Sequence, residues 1–133
     1  MNEDGIVISE KDYLRIKHLL SFQKSEDFEN LEIELERASI VSDNEIPNDL
    51  VTMNSKIKFL NVQENKEMII TLVYPSDSNF AEGKISVLAS LGSALLGLRV
   101  NQEINWMFPD GKSRTLKILE IIYQPESNGH WHL

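Results

Sequence analysis

The sequence predicts an α+β fold, in which a short helical hairpin precedes a mostly antiparallel sheet that carries one short helix. Two observations support this division. Residues 1–46 show helical periodicity and hold twelve Asp or Glu against five Lys or Arg, a net charge of −7, whereas residues 47–133 show strand patterns and a net charge of −1. Pro47 disfavours helix in the residue before it. We therefore expect two domains, 1–46 and 47–133.

The composition excludes several classes of function. The 133 residues carry a net charge of −8 and no cysteine, which rules out disulfides and thiolate nucleophiles. The negative charge argues against sequence-specific nucleic-acid binding or an anionic membrane, because both ligands attract Lys and Arg. No apolar stretch approaches the roughly 20 residues of a membrane span, and the N-terminus carries no basic-then-apolar signal. We expect a cytoplasmic protein.

The first helix is predicted over residues 10–22, after an extended lead-in at 6–8. Ser9 is a typical N-cap, and Asp12 stands three residues later, where a capping-box partner belongs. The apolar side chains of this segment recur on one helical face, and they are Tyr13, Ile16 and Leu20.

Ser25 is predicted to cap the second helix, which places Glu26 and Asp27 in its first turn, where the helix dipole favours acids. Its apolar residues are spaced three, four and three apart, as in a coiled-coil seam; they are Phe28, Leu31, Leu35 and Ala38. Two helices with one narrow apolar stripe each, joined by a short turn, predict an antiparallel helical hairpin.

Residues 21–38 hold six carboxylates, which follow the turn along the second helix: Glu26, Asp27, Glu29, Glu32, Glu34 and Glu36. None of them falls on the apolar seam. The first interpretation is a solvated helix face. The second is that Glu26, Asp27 and Glu29, which lie nearest the turn, face a partner or a metal ion.

Strand patterns dominate the remainder of the chain. Alternation over 56–62 directs Ile57, Phe59 and Asn61 to one side of a strand, and Asp110-Gly111 is a typical hairpin turn. Strands are predicted over 56–62, 68–75, 84–88, 103–108 and 115–124, with one short helix over 91–97. Residues 125–133 are interpreted as a tail, and Trp106 as a core residue.

A search for catalytic chemistry finds little. Of the three histidines, His18 lies in a predicted helix with no evident nucleophile or carboxylate partner. His130 and His132 form an H-x-H pair that could contact a metal, but it is interpreted as part of the tail. There is no nucleophile elbow, phosphate-binding loop or dinucleotide fingerprint. We therefore expect neither an enzyme nor a bound cofactor or metal.

Five short motifs resemble the C-terminal domain of the bacterial Gre transcript-cleavage factors. They are G-K-I-S-V at 83–87, A-L-L-G at 94–97, V-x-x-E-I at 100–104, P-x-G at 109–111 and I-L-E-I-x-Y at 118–123. Upstream, the segments D-L-V-T-M-N-S-K-I-K-F and T-L-V-Y-P resemble the Rnk family, Gre-like proteins with a shorter helical hairpin.

This resemblance implies an FKBP-like sheet domain that binds RNA polymerase at the rim of its secondary channel, with the hairpin directed into the channel. It places the partner-binding residues on the short helix and its flank: Ala89, Ser90, Leu91, Gly92, Ser93, Leu95 and Leu96. The hairpin tip would comprise Lys24, Glu26, Asp27 and Glu29. Gre factors have a proline before this helix, whereas Ala89-Ser90 stand here.

In Gre factors a longer hairpin carries an Asp and a Glu that help to hold a second Mg²⁺ in the polymerase active site. Their G-D-x-x-E-N-A-E-Y motif is absent here. The resemblance therefore implies a non-catalytic, monomeric regulator that competes with Gre factors. Two alternatives stay open: a Gre-type factor that stimulates transcript cleavage through Glu26 and Glu29, and an FKBP-like module without a role at the polymerase.

Overall fold

The computed structural model describes residues 6–21, 29–107 and 110–130. Three α-helices and seven strands lie in these ranges, in the order β1 Val7–Ser9, α1 Glu10–Ser21, α2 Glu29–Glu36, β2 Ser39–Val41, β3 Lys56–Asn61, β4 Lys66–Val73, β5 Lys84–Ser86, α3 Ser90–Leu95, β6 Glu103–Met107 and β7 Ser113–Tyr123. The mixture of helix and sheet agrees with the predicted fold class.

The N-terminal part contains both predicted helices and a strand pair that the sequence did not reveal. The Asp12 backbone N–H donates to the Ser9 Oγ at 3.1 Å, so Ser9 caps α1 as predicted. Strands β1 and β2 pair in parallel, with Val7 opposite Ser39. The extended lead-in is therefore part of a two-stranded sheet. The turn of the predicted hairpin lies outside the described residues.

The five remaining strands form one sheet in the order β5-β4-β3-β7-β6. Neighbouring strands are antiparallel, except that β4 and β5 are parallel. The predicted alternation in β3 is confirmed, because Ile57, Phe59 and Asn61 are all buried. Asn61 is accommodated there because its amide donates to Glu64 Oε1 at 2.8 Å.

One hydrophobic core joins the two parts of the chain. Ile16 of α1 and Leu31 and Leu35 of α2 belong to the same buried cluster as Phe59 of the sheet and Leu95 of α3. The two apolar helix stripes therefore face this core. Trp106 is also in the cluster, with 9% of its surface exposed, as its strand pattern predicted.

The prediction of a tail at 125–133 is wrong for its first residues. Gln124 and Glu126 are buried. The Gln124 amide donates to the carbonyl oxygens of Pro47 at 2.8 Å and Leu50 at 2.7 Å, and Glu126 accepts a hydrogen bond from Thr52 Oγ1 at 2.8 Å. These long-range hydrogen bonds hold a 3₁₀ turn at Glu126–Asn128 against the fold. Residues 131–133 lie outside the described ranges.

Candidate partner-binding site

Three residues separate helix α3 from the edge strand β5. The Ser86 hydroxyl accepts a hydrogen bond from the Leu88 N–H at 3.1 Å, and the Ser86 carbonyl accepts one from the Ala89 N–H at 3.0 Å. The Ser93 hydroxyl then donates to the Val87 carbonyl at 2.8 Å. This turn fixes the first residues of α3 to the edge of the sheet.

Two glycines allow α3 to lie close to its neighbours. A Cβ atom on Gly92 would stand 2.1 Å from the Ser86 carbonyl oxygen, so only glycine permits this contact. Gly97 has φ of +80°, and a Cβ there would stand 2.5 Å from the Cβ of Ile6. Gly92 therefore allows α3 to pack against β5, and Gly97, which follows α3, allows the chain to approach Ile6 just before β1.

The seven predicted partner-binding residues divide into two groups. Ala89 is exposed, and Ser90, Leu91 and Ser93 are half-buried. Gly92 is buried, Leu95 is fully buried and Leu96 is 1% exposed. The structure thus brings all seven together on one short element, and four of them have surface that a partner can reach. We call Ala89, Ser90, Leu91 and Ser93 the α3 surface.

The predicted hairpin tip is mostly not described. Lys24, Glu26 and Asp27 lie outside the described residues, and Glu29 is the first described residue of α2. Further along this helix Glu32 and Glu36 are exposed and Glu34 is half-buried. These three acids therefore lie off the buried seam, as their spacing predicted.

Asp12 is a buried polar residue whose role the sequence did not reveal. Only 1% of its surface is exposed. Its carboxylate accepts hydrogen bonds from the Met53 N–H at 3.1 Å and from the Tyr74 hydroxyl at 3.3 Å. It does not complete a capping box with Ser9; instead it links α1 to the loop before β3 and to the end of β4.

The environment of Asp12 favours its neutral form. Burial raises the pKa of Asp12 to about 6, the hydrogen bond from Met53 opposes this, and the negative charge of Glu126 adds to it. Burial also raises the pKa of the Tyr74 hydroxyl, which keeps it a proton donor toward Asp12. The Arg15 guanidinium lies 5.9 Å from the centroid of the Tyr74 ring. Asp12, Arg15 and Tyr74 thus form a polar contact between α1 and the sheet.

The two described histidines, His18 and His130, lie in different parts of the fold. Tyr123 Oη and His130 Nδ1 are 2.5 Å apart, which makes His130 part of the packing of the C-terminal turn. His18 lies on α1, and His132 is outside the described residues. Within residues 6–21, 29–107 and 110–130 there is no group of three His, Asp or Glu side chains arranged to hold a metal ion.

No helix among the described residues is long and apolar enough to span a membrane.

Two family models match the chain. Residues 5–41 match the Rnk N-terminus, and residues 46–123 match the C-terminal domain of the transcription elongation factors GreA and GreB. The second match includes the sheet, α3 and the α3 surface.

Known proteins resemble the chain over different lengths. The regulator of nucleoside diphosphate kinase of Escherichia coli K12 is 40% identical over all of both chains. The transcription elongation factor GreA of Helicobacter hepaticus is 32% identical over 68% of this chain and 55% of that protein.

Among solved structures, a prokaryotic transcription elongation factor GreA/GreB from Nitrosomonas europaea superimposes with a TM-score of 0.73 and 42% identity. The superposition covers 90% of this chain and 98% of that one. The fold is therefore of the GreA/GreB type. The chain belongs to the Rnk family, the regulators of nucleoside diphosphate kinase, whose C-terminal part is a GreA/GreB domain.

Proposed function

We propose that this protein is a non-catalytic transcription regulator that binds RNA polymerase at the rim of the secondary channel and competes there with Gre factors. The observation that carries the proposal is the match of residues 46–123 to a domain of transcription elongation factors. On this proposal the protein is a monomer and acts in the cytoplasm, where the polymerase is, without reading a nucleic-acid sequence itself.

The proposed contact with the polymerase is the α3 surface. Leu91 offers partly exposed apolar area, and Ala89, Ser90 and Ser93 surround it with small side chains that allow close approach. Leu95 and Leu96 anchor α3 in the core from its other side. A contact built on a short element with a fixed backbone loses little conformational entropy on binding.

The proposed role of domain 1–46 is to enter the channel as an antiparallel helical hairpin. The exposed acids Glu32 and Glu36 give it a negative face that would complement basic channel walls. The tip residues Lys24, Glu26, Asp27 and Glu29 lack the Gre tip motif. A metal ligand must stand within about 2.1 Å of Mg²⁺, and a shortened hairpin would not bring a carboxylate that close.

The alternative is a factor that stimulates transcript cleavage, with Glu26 and Glu29 as Mg²⁺ ligands. It is favoured by the likeness to GreA, which is named a transcription elongation factor. Backtracked polymerase complexes distinguish the two functions. The proposal predicts no cleavage above that of polymerase alone, whereas the alternative predicts stimulation that is lost in the Glu26→Ala, Glu29→Ala variant.

The contact assignment is tested with Ser90→Glu. Ser90 is the first residue of α3, where the helix dipole tolerates an acid, so the fold should survive. A new charge buried in the interface should weaken binding to core RNA polymerase at least tenfold, roughly the effect of a lost interface hot spot. Fluorescence anisotropy of the labelled protein measures the Kd.

The matched control is Ser113→Glu, the same change at an exposed serine at the start of β7. It should bind polymerase within about twofold of the wild type, since surface changes outside an interface have small effects. If Ser90→Glu binds as tightly as this control, the α3 surface is not the contact.

A further inference from the structure

A row of four polar residues crosses the outer face of the sheet at the end where β5 begins. Lys84 of β5 is paired with Thr71 of β4, Thr71 with Lys56 of β3, and Lys56 with Tyr123 of β7. All four are exposed or half-buried, whereas the neighbouring Ile57 faces the core. The row therefore lies on the side of the sheet opposite the hydrophobic cluster.

A surface pocket of about 310 Å³ lies over this row. It is completed by Asn54, Val73 and Asp77. Asp77 ends a 3₁₀ turn that follows β4, and the chain then returns to Lys84 through a bridge with Asn79. The volume is at the lower end of the range of small-molecule sites, about 300–1,000 Å³.

Lys56 and Lys84 give this pocket two positive charges that can bind an anion, although the protein as a whole is negatively charged. Within the described ranges, no hydrogen bond or ion pair holds the Lys56 ammonium. Lys84 Nζ lies 3.3 Å from Glu82 Oε1, but both side chains are about half exposed, and such pairs hold weakly. Lys56 and Lys84 lie on β3 and β5, two strand spacings or about 9.6 Å apart across β4. Their flexible four-carbon stems allow both ammonium groups to reach one anion that sits between them.

The other lining groups restrict the kind of anion. The Asp77 carboxylate would repel a bare phosphate group but accepts hydrogen bonds from hydroxyl groups. The Thr71 hydroxyl and the Asn54 amide can both donate and accept hydrogen bonds. A ligand that carries a phosphate at one end and hydroxyl groups at the other satisfies both the lysines and Asp77.

We propose that this pocket binds a small sugar phosphate, either free or as part of a mononucleotide. Lys56 and Lys84 hold the phosphate, and Asp77 accepts hydrogen bonds from the sugar hydroxyls. The pocket lies on the outer face of the sheet and includes no residue of the α3 surface, so this site is independent of the proposed polymerase contact.

Amide NMR shifts of the ¹⁵N-labelled full chain test the site. The probes are ribose 5-phosphate and adenosine 5′-monophosphate, with ribose and sodium chloride at matched ionic strength as controls. Both phosphorylated probes should produce saturable shifts around residues 54–56, 71–73, 77 and 84, and a tighter Kd for the nucleotide would identify it as the preferred form. Ribose and the salt should produce no saturable shift.

Two lysine double variants distinguish binding at the pocket from an effect of the net charge. Lys56→Gln, Lys84→Gln should raise the Kd for ribose 5-phosphate at least tenfold, because it removes two charge-assisted contacts. Lys66→Gln, Lys117→Gln carries the same charge change outside the pocket and should leave the Kd within about twofold. Asp77→Asn should weaken ribose 5-phosphate more than inorganic phosphate.

Three results would overturn the proposal. One is the absence of saturable shifts with either phosphorylated probe up to ~10 mM. Another is an equal loss of affinity in the two lysine double variants, which would indicate a non-specific effect of charge. The third is ribose binding as tightly as ribose 5-phosphate, which would exclude a phosphate contact.

Discussion

Asp12 connects α1 to the sheet side of the molecule through a buried carboxyl group. The carboxyl group is 1% exposed and receives hydrogen bonds from Met53 and Tyr74. Its pKa is raised to about 6 by burial, although the hydrogen bond from Met53 lowers it. The folded protein therefore holds a proton on this group at pH values where the unfolded chain has released it.

The contribution of Asp12 to the free energy of unfolding depends on pH. Between the unfolded pKa of 3.8 and the folded pKa of about 6, the folded state binds more protons, so the contribution of Asp12 to stability falls as the pH rises. Two pKa units correspond to about 3 kcal/mol. We predict that Asp12→Asn gains up to this amount relative to the wild type between pH 4 and pH 7, measured by urea unfolding.

Asp77→Asn, the same change at an exposed aspartate, controls for the loss of one negative charge. The charged groups that influence Asp12, namely Glu126 and Lys11, are unchanged in both variants. A stability difference between Asp12→Asn and the wild type that stays constant from pH 4 to pH 7 would show that Asp12 is not strained by burial.

At the scale of elements, the position of α3 depends on Gly92. Helix propensity alone predicts that Gly92→Ala stabilises α3 by roughly 0.5–1 kcal/mol. The added methyl carbon, however, would stand 2.1 Å from the Ser86 carbonyl oxygen, and this backbone atom must move. Overpacking costs about 1–3 kcal/mol, so we predict a net loss of stability.

Thermal unfolding measures the stability of the Gly92→Ala variant, and the Gly111→Ala variant is used for comparison. A Cβ on Gly111 would meet nothing within 4 Å, although φ there is +81°. Its effect therefore reports backbone strain without a clash. If Gly92→Ala is as stable as the wild type or more stable, α3 does not lie against β5 as closely as described.

Sequence patterns predicted those helices and strands whose signal lies within a few neighbouring residues. Helix α1, strand β3 and the strands around Asp110-Gly111 follow from side-chain periodicity and turn chemistry, with boundaries correct to about two residues. The pairing of β1 with β2 was not predictable, because three-residue strands show no periodicity and their partners are about 30 residues apart. The packed turn at Glu126–Asn128 was missed for a similar reason, since its partner Thr52 is distant in sequence.

Sequence patterns also predicted only part of the candidate site. The A-L-L-G motif makes Leu95 and Leu96 candidates for partner binding, but in the folded chain both are core residues. The residues with accessible surface are those of the α3 surface, and the sequence pattern does not distinguish the two groups. The sequence predicts Asp12 as a capping-box partner because it stands three positions after Ser9. Its partner Met53 lies 41 residues away, and no local signal indicates that contact.

At the scale of the whole molecule, one core supports two surfaces of different charge. The helices α1 and α2 share buried contacts with the sheet, while residues 1–46 carry almost all of the net charge of −8. On the proposed function, the sheet side would hold the protein on the polymerase, and the acids of the helical part would face a basic surface of that partner.

Competition for RNA polymerase tests the proposed function most directly. The fluorescently labelled protein is titrated with core polymerase, and unlabelled GreA is then added to the complex. The proposed function predicts saturable binding and complete displacement by GreA, because both proteins would occupy the secondary-channel rim. Absence of binding at ~10 µM polymerase, or binding that an excess of GreA leaves unchanged, would contradict it.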